Sequence, residues 1–101
     1  PAEYISHQDE YLEQLHKLKT HLAIPIIASL NGTSSSGWIH YGKELQQAGA
    51  DALELNVYYV AADPDETSRE VEERYINLLQ DLRKHVSLPI TMKLSSQFSS
   101  I

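Results

Sequence analysis

Two segments of this chain follow the same order of events. His21-Leu22-Ala23-Ile24-Pro25-Ile26-Ile27 and His85-Val86-Ser87-Leu88-Pro89-Ile90-Thr91 each leave a helical pattern, cross a short turn, and reach an apolar residue, a proline and an isoleucine. The residue before a proline is driven out of the α region by the proline ring, so a helix must stop there. Proline itself is tolerated at a strand entrance, where its missing N–H breaks no ladder. Each segment therefore converts a helix into a strand within a few residues.

The intervening stretches keep this alternation going. Leu12, Leu15, Leu18 and Leu22 recur at helical spacing along His7 to His21, with Glu and Lys on the other side and Ser6 as candidate N-cap. Ile26-Ile27-Ala28-Ser29-Leu30 reads as a buried strand. Asn31-Gly32-Thr33-Ser34-Ser35-Ser36-Gly37 is a loop of glycine and hydroxyl residues, without the lysine and spacing of a phosphate-binding P-loop. A second helix is expected from about Trp38 to Gln47, packing through Trp38, Ile39, Tyr41, Leu45 and Ala48 and closed by Gly49. Ala52-Leu53-Glu54-Leu55-Asn56-Val57-Tyr58-Tyr59 is the next strand. Alternation puts Leu53, Leu55 and Val57 on one face and Glu54 and Asn56 on the other. Thr67 with Glu70 three residues later is a capping box, opening a third helix that runs to about His85. Its broad apolar face carries Val71, Tyr75, Leu78, Leu79, Leu82 and Val86, and Ile90-Thr91-Met92-Lys93-Leu94 is the third strand.

The order α-β-α-β-α-β with short connections implies a parallel sheet with right-handed crossovers. Three strands complete neither a closed barrel nor a doubly wound sheet. The expected architecture is α/β, a (β/α)8 TIM barrel of which this chain supplies about three βα units. Residues 1–101 then form one partial-barrel domain, a fragment of a longer chain, since a complete barrel takes about 200–250 residues and this chain has 101.

Composition removes several functions. The formal net charge of −6 argues against a nucleic acid or an anionic membrane as partner, because both favour basic patches. There is no cysteine, hence no disulfide, thiolate metal site or cysteine nucleophile. No apolar run approaches the length of about 20 residues that spans a bilayer, and the start is not that of a signal peptide, so the expected location is cytoplasmic. Histidines 7, 16, 21, 40 and 85 show no metal-ligand spacing.

In an α/β barrel, ligands bind at the carboxyl ends of the strands. Each strand here ends in a hydrogen-bonding group: Ser29 and Asn31 on the first, Asn56 on the second, Lys93 on the third. Glu54 reads as a residue that orients a neighbour. Tyr58 and Tyr59 either pack the barrel rim or line the site.

These residues carry a resemblance. Ile26-Ile27-Ala28-Ser29-Leu30-Asn31-Gly32, Ala48-Gly49-Ala50-Asp51-Ala52-Leu53-Glu54-Leu55-Asn56-Val57 and Leu88-Pro89-Ile90-Thr91-Met92-Lys93-Leu94-Ser95 resemble successive strands of dihydroorotate dehydrogenases, more narrowly of the bacterial dihydroorotate dehydrogenase-like proteins. The resemblance covers nearly all of the chain from Ile24 onward. It implies an FMN-dependent (β/α)8 barrel that oxidises dihydroorotate to orotate in pyrimidine biosynthesis. By resemblance, Lys93 contacts the flavin ring near N1 and O2, Asn56 hydrogen-bonds flavin or substrate, and Ser29 lines the flavin pocket. Asn31, Asn56 and Tyr59 fall on the substrate side, and no catalytic base is assigned. The implied partner is a small dihydroorotate-like molecule, with room for a homodimer. Such barrels hold the cofactor phosphate on later loops, so residues 1–101 alone are expected to bind FMN weakly. One segment departs from the family: Val57-Tyr58-Tyr59-Val60-Ala61-Ala62 replaces a run of small residues, proline and asparagine. That departure keeps open an alternative, a catalytically altered barrel that binds flavin or another ligand. A small stand-alone α/β domain is a third reading.

Overall fold

The computed structural model describes residues 7–31, 35–56 and 67–93, with the side chains of 35, 36 and 68 left aside. Six elements alternate along it: α1 (His7–His21), β1 (Ile27–Asn31), α2 (Ser35–Gln47), β2 (Ala52–Asn56), α3 (Ser68–His85) and β3 (Ile90–Lys93). The strands form one parallel sheet in the order β1-β2-β3. The expected elements are all present. α2 starts three residues earlier than its apolar pattern, because hydroxyl residues can serve a first helical turn without contributing to the core. Val57 to Tyr59 and Leu94 lie outside the described residues, as does the N-cap assigned to Ser6.

The two faces of the sheet differ in kind. Ala28 and Leu30 of β1 and Leu53 and Leu55 of β2 are buried against the helices, in one core with Leu15, Trp38, Leu45, Ala50, Tyr75, Leu78, Leu82 and Val86. The alternate residues Ser29, Asn31, Glu54 and Asn56 face the other way and are exposed or half-buried. A doubly wound sheet would reverse its strand order and clothe both faces with helices. Here consecutive strands are neighbours and the helices share one core on one face, which is the winding of a barrel wall. The chain is a partial (β/α)8 barrel of about three units.

Packing of α2 on α3 depends on a missing side chain. A Cβ on Gly42 would stand 3.1 Å from Leu82 Cδ1 and 3.4 Å from Val86 Cγ2, so glycine lets the two helices and Leu53 approach. Trp38 is core, as its spacing requires; its buried indole Nε1 has no hydrogen-bond partner among the described residues. α1 departs from expectation. Leu15 is buried and Leu12 packs beside it, but Leu18 and Leu22 remain 41% and 44% exposed. The stripe is longer than the surface that α1 covers: among the described helices its main contact is with α2.

The amino ends of the strands are tied together by short polar links. Ile26 and Asp51 exchange two bonds: Ile26 N donates to Asp51 Oδ2 at 2.7 Å, and Asp51 N donates to Ile26 O at 2.9 Å. Lys19 Nζ of α1 donates to the same Oδ2 at 2.7 Å. α2 ends in paired bonds, Gly49 N to Gln46 O and Ala50 N to Leu45 O, both 3.1 Å. This is the Schellman arrangement, and it requires positive φ at Gly49, which is 106°. Ser87 N donates to Gln46 Oε1 at 2.9 Å, and Arg83 donates to the carbonyls of Leu88 and Ser87 beyond the end of α3. At the other end of α3, Thr67 caps the helix as expected, its hydroxyl accepting from Glu70 N at 3.2 Å.

Candidate functional site

Parallel register decides which strand-end residues stand side by side. Asn31 pairs with Asn56, and Asn56 pairs with Lys93. Three of the five residues expected on the cofactor and substrate side thus form one row across the carboxyl end of the sheet, on the face away from the helices. Neighbouring strands lie about 4.8 Å apart, so the row spans roughly 10 Å, close to the breadth of a fused-ring heterocycle. Asn31 and Lys93 are exposed and Asn56 is half-buried. None of the three side chains has a hydrogen-bond or ion-pair partner among the described residues. Two amides that both donate and accept, plus one ammonium, suit a planar ligand with an amide-like edge and an electron-rich end.

A second row lies directly beneath. Ser29 pairs with Glu54, and Glu54 pairs with Thr91. Ser29 Oγ donates to Glu54 Oε1 at 3.0 Å. Glu54 therefore does orient a neighbour, and Ser29, expected on the cofactor, has its hydroxyl engaged by a carboxylate. Tyr59 lies outside the described residues, together with the rest of the segment that departs from the family pattern.

The sequence reading missed a wall beside β1. A cleft of about 280 Å³ is lined by His7, Gln8, Tyr11, Ser29, Asn31 and Tyr41. Tyr11 of α1 accepts a bond from Ser29 N at 3.0 Å, and its ring lies 6.3 Å from that of Tyr41. Burial, then the Tyr11 and Glu44 side chains, push the Tyr41 hydroxyl up to about 12, so it stays protonated at any physiological pH. Tyr11 sits one helical turn before buried Leu15, a spacing that marks it as facing inward. That signal was available, but helical spacing does not distinguish a core contact from a site wall.

Away from this face, several titratable side chains brace the fold. Lys19, hydrogen-bonded to Asp51, lowers the carboxyl of Asp51 below its usual value, with the Ile26 N–H as second cause. His21 and His85 each donate Nδ1–H to the carbonyl four residues earlier, and His40 pairs with Glu44. Among the described residues no group of His, Asp or Glu could hold a metal ion, and no helix is long and apolar enough to cross a membrane.

No protein-family profile matches the chain. It is 26% identical over 102 aligned residues to the catalytic subunit of dihydroorotate dehydrogenase B (NAD(+)) from Thermoplasma acidophilum, an alignment covering 92% of this chain and 31% of that protein. Its fold matches, with a TM-score of 0.69, that of YagE, a prophage protein of the dihydrodipicolinic acid synthase family from E. coli K12 solved with pyruvate. That match is 20% identical and covers 93% of this chain and 30% of the other. The chain thus spans less than a third of either protein. Both belong to TIM-barrel enzyme families, and the likeness to the dehydrogenase subunit is that of a distant, oxidoreductase-like barrel.

Proposed function

We propose that this chain supplies three βα units of an FMN-dependent barrel enzyme that passes hydride between a small cyclic, dihydroorotate-like substrate and flavin. One observation carries the reading: Asn31, Asn56 and Lys93 stand in register across the carboxyl end of the sheet, with no side-chain partner among the described residues. The distant likeness to the dihydroorotate dehydrogenase subunit supports it.

The donor set fits the pyrimidine edge of a flavin. That edge alternates carbonyl and ring nitrogen, which amides can match, and negative charge gathers at its N1–O2 end on reduction. FMN, when bound, supplies the hydride-accepting chemistry. Lys93 would place a fixed positive charge where that negative charge develops, a contribution that is largest in a water-poor site. Asn56 would fix the ring in the plane of the row through donor and acceptor together. Asn31, at the far end from Lys93 and beside the Tyr11–Tyr41 cleft, is positioned for substrate. The substrate is then a small molecule rather than nucleic acid or membrane, and the enzyme works in the cytoplasm, with room for a homodimer.

The experiment is an FMN titration of the full-length protein that contains these residues, since residues 1–101 alone are expected to hold FMN weakly, followed by anaerobic addition of dihydroorotate. Flavin binding with bleaching of its visible absorption is expected. A full-length protein that takes up no FMN overturns the reading. One that binds FMN without being reduced favours the altered, ligand-binding barrel that Tyr58 and Tyr59 keep open.

A further inference from the structure

The inner face of the sheet carries two opposite charges among its described residues. Register places Ile27, Ser29 and Asn31 of β1, Ala52, Glu54 and Asn56 of β2, and Thr91 and Lys93 of β3 on that face. Glu54 is the one carboxylate of this set and Lys93 the one ammonium. Glu54 is directly opposite Thr91, and Lys93 is two residues further along the same strand, so the two are diagonal neighbours. Diagonal positions across a strand pair lie about 7–8 Å apart, within reach of two long side chains. An ion pair is the expected outcome, yet none forms. Glu54 instead leans across β2 toward β1, where Ser29 Oγ donates to its Oε1 at 3.0 Å. β1 and β3 lie on opposite sides of β2, so this bond draws the carboxylate away from the ammonium.

We infer that Ser29 is a positioning residue that latches Glu54 away from Lys93 and so keeps the Lys93 ammonium available to an electron-rich ligand at the strand ends. The ligand's identity as FMN rests on the proposed function; the latch does not. Ser29 is itself held in place, because Tyr11 accepts its backbone N–H at 3.0 Å. Among the described residues Glu54 is the only carboxylate on this face, and the row that contains Lys93 is otherwise two neutral amides. A latch of this kind keeps a carboxylate in the site, where it can balance the cation in the absence of ligand, without letting it occupy the ligand's place.

The test measures Lys93 directly. The full chain is treated with an amine-acylating reagent, and the rate of modification at Lys93 is followed by peptide mass mapping, since an ion-paired lysine reacts more slowly. In Ser29→Ala the rate at Lys93 is expected to fall roughly two- to fivefold, the change in population that an exposed ion pair supports. Ser29→Thr, which keeps the hydroxyl, should react as the parent does, and the double variant Ser29→Ala with Glu54→Gln should recover the parent rate. Should alanine disturb the fold by circular dichroism, Ser29→Cys, with its weaker donor, carries the same expectation. An unchanged rate in a folded Ser29→Ala or Ser29→Cys overturns the latch, as does a slowed rate that Glu54→Gln does not restore. FMN titrations of the same variants made in the full-length protein separate the two proposals: weaker binding in Ser29→Ala, restored in the double variant, extends the latch to the cofactor. The labelling pattern without FMN uptake by the parent leaves the latch standing and removes the flavin.

Discussion

Asp51 and Lys93 stand at opposite ends of the same three-stranded sheet, and their surroundings differ in kind. Asp51, at the amino end, accepts from Lys19 and from the Ile26 N–H, and returns its own N–H to Ile26. Around it Gly49, Gln46, Arg83 and Ser87 complete the backbone bonding of two helix ends. Lys93, at the carboxyl end, shares a row with two asparagines, and none of the three is engaged by the described residues. One end spends its polar groups on the chain; the other holds them in register without a partner among the described residues. A polar side chain with no partner among the described residues adds little to stability there, and the proposed function assigns the row to a ligand. The contrast predicts that substitutions at the two ends will fail in different assays.

The largest effect belongs to neither end but to the core that joins them. Leu82 is fully buried between α2, α3 and the sheet. Leu82→Ala should cost about 2–5 kcal/mol in urea unfolding, through lost transfer energy and the cavity left behind. A loss well below that range would mean that α2 and α3 close around the gap, contrary to the tight approach at Gly42. Lys93→Ala should reverse the pattern. Its unfolding free energy should stay within about 0.5 kcal/mol of the parent, while flavin reduction in the full-length protein slows by roughly 10²–10³, the usual cost of one preorganised charge in a site. An unchanged reduction rate would remove Lys93 from the chemistry.

Gly49→Ala comes next. With φ at 106°, any side chain is strained there, and a Cβ would also press to 3.3 Å from Lys19 Cγ. A loss of roughly 1–2 kcal/mol is expected, with ligand binding unaffected; weaker ligand binding at equal stability would mean that the two ends are coupled. The smallest effect is a pH dependence. Asp51 titrates below its ordinary 3.8 in the folded protein, chiefly through the Lys19 hydrogen bond. The folded state therefore binds that proton less readily than the unfolded chain. The stabilisation is complete above the ordinary value and is lost as pH falls through the lowered one. Asp51→Asn should unfold at lower urea than the parent at neutral pH, and the gap should narrow below about pH 4. A gap that stays constant into acid would assign the Asp51 contribution to geometry rather than charge.

Much of this fold was legible in the chain itself. The two apolar-Pro-Ile passages announced where helices become strands, the Thr67–Glu70 spacing marked the start of α3, and Gly49 marked the end of α2. These signals are local: a proline ring, a capping hydroxyl and a residue free of Cβ act on their own neighbours. α1 was read less well. Its four leucines looked equivalent, yet only the first two in sequence pack into or beside the core, because burial depends on what lies opposite a helix and not on the helix's own period. Tyr11 and Tyr41 were invisible as a site wall for the same reason.

The site divides along the same line. The residue types at the strand ends, Ser29, Asn31, Asn56 and Lys93, and the alternation that turns each away from the core follow from sequence and the two-residue period of a strand. Their juxtaposition does not. A shift of one residue in either strand pairing would break the Asn31-Asn56-Lys93 row and turn half of it into the core. Register is set by how Leu53 and Leu55 seat against the helices and by the Ile26–Asp51 exchange at the far end. Only the tertiary structure could decide it, and only the structure could show that Glu54 turns toward Ser29 and not toward Lys93. Two partners stood within reach of that carboxylate, and a sequence names both without ranking them.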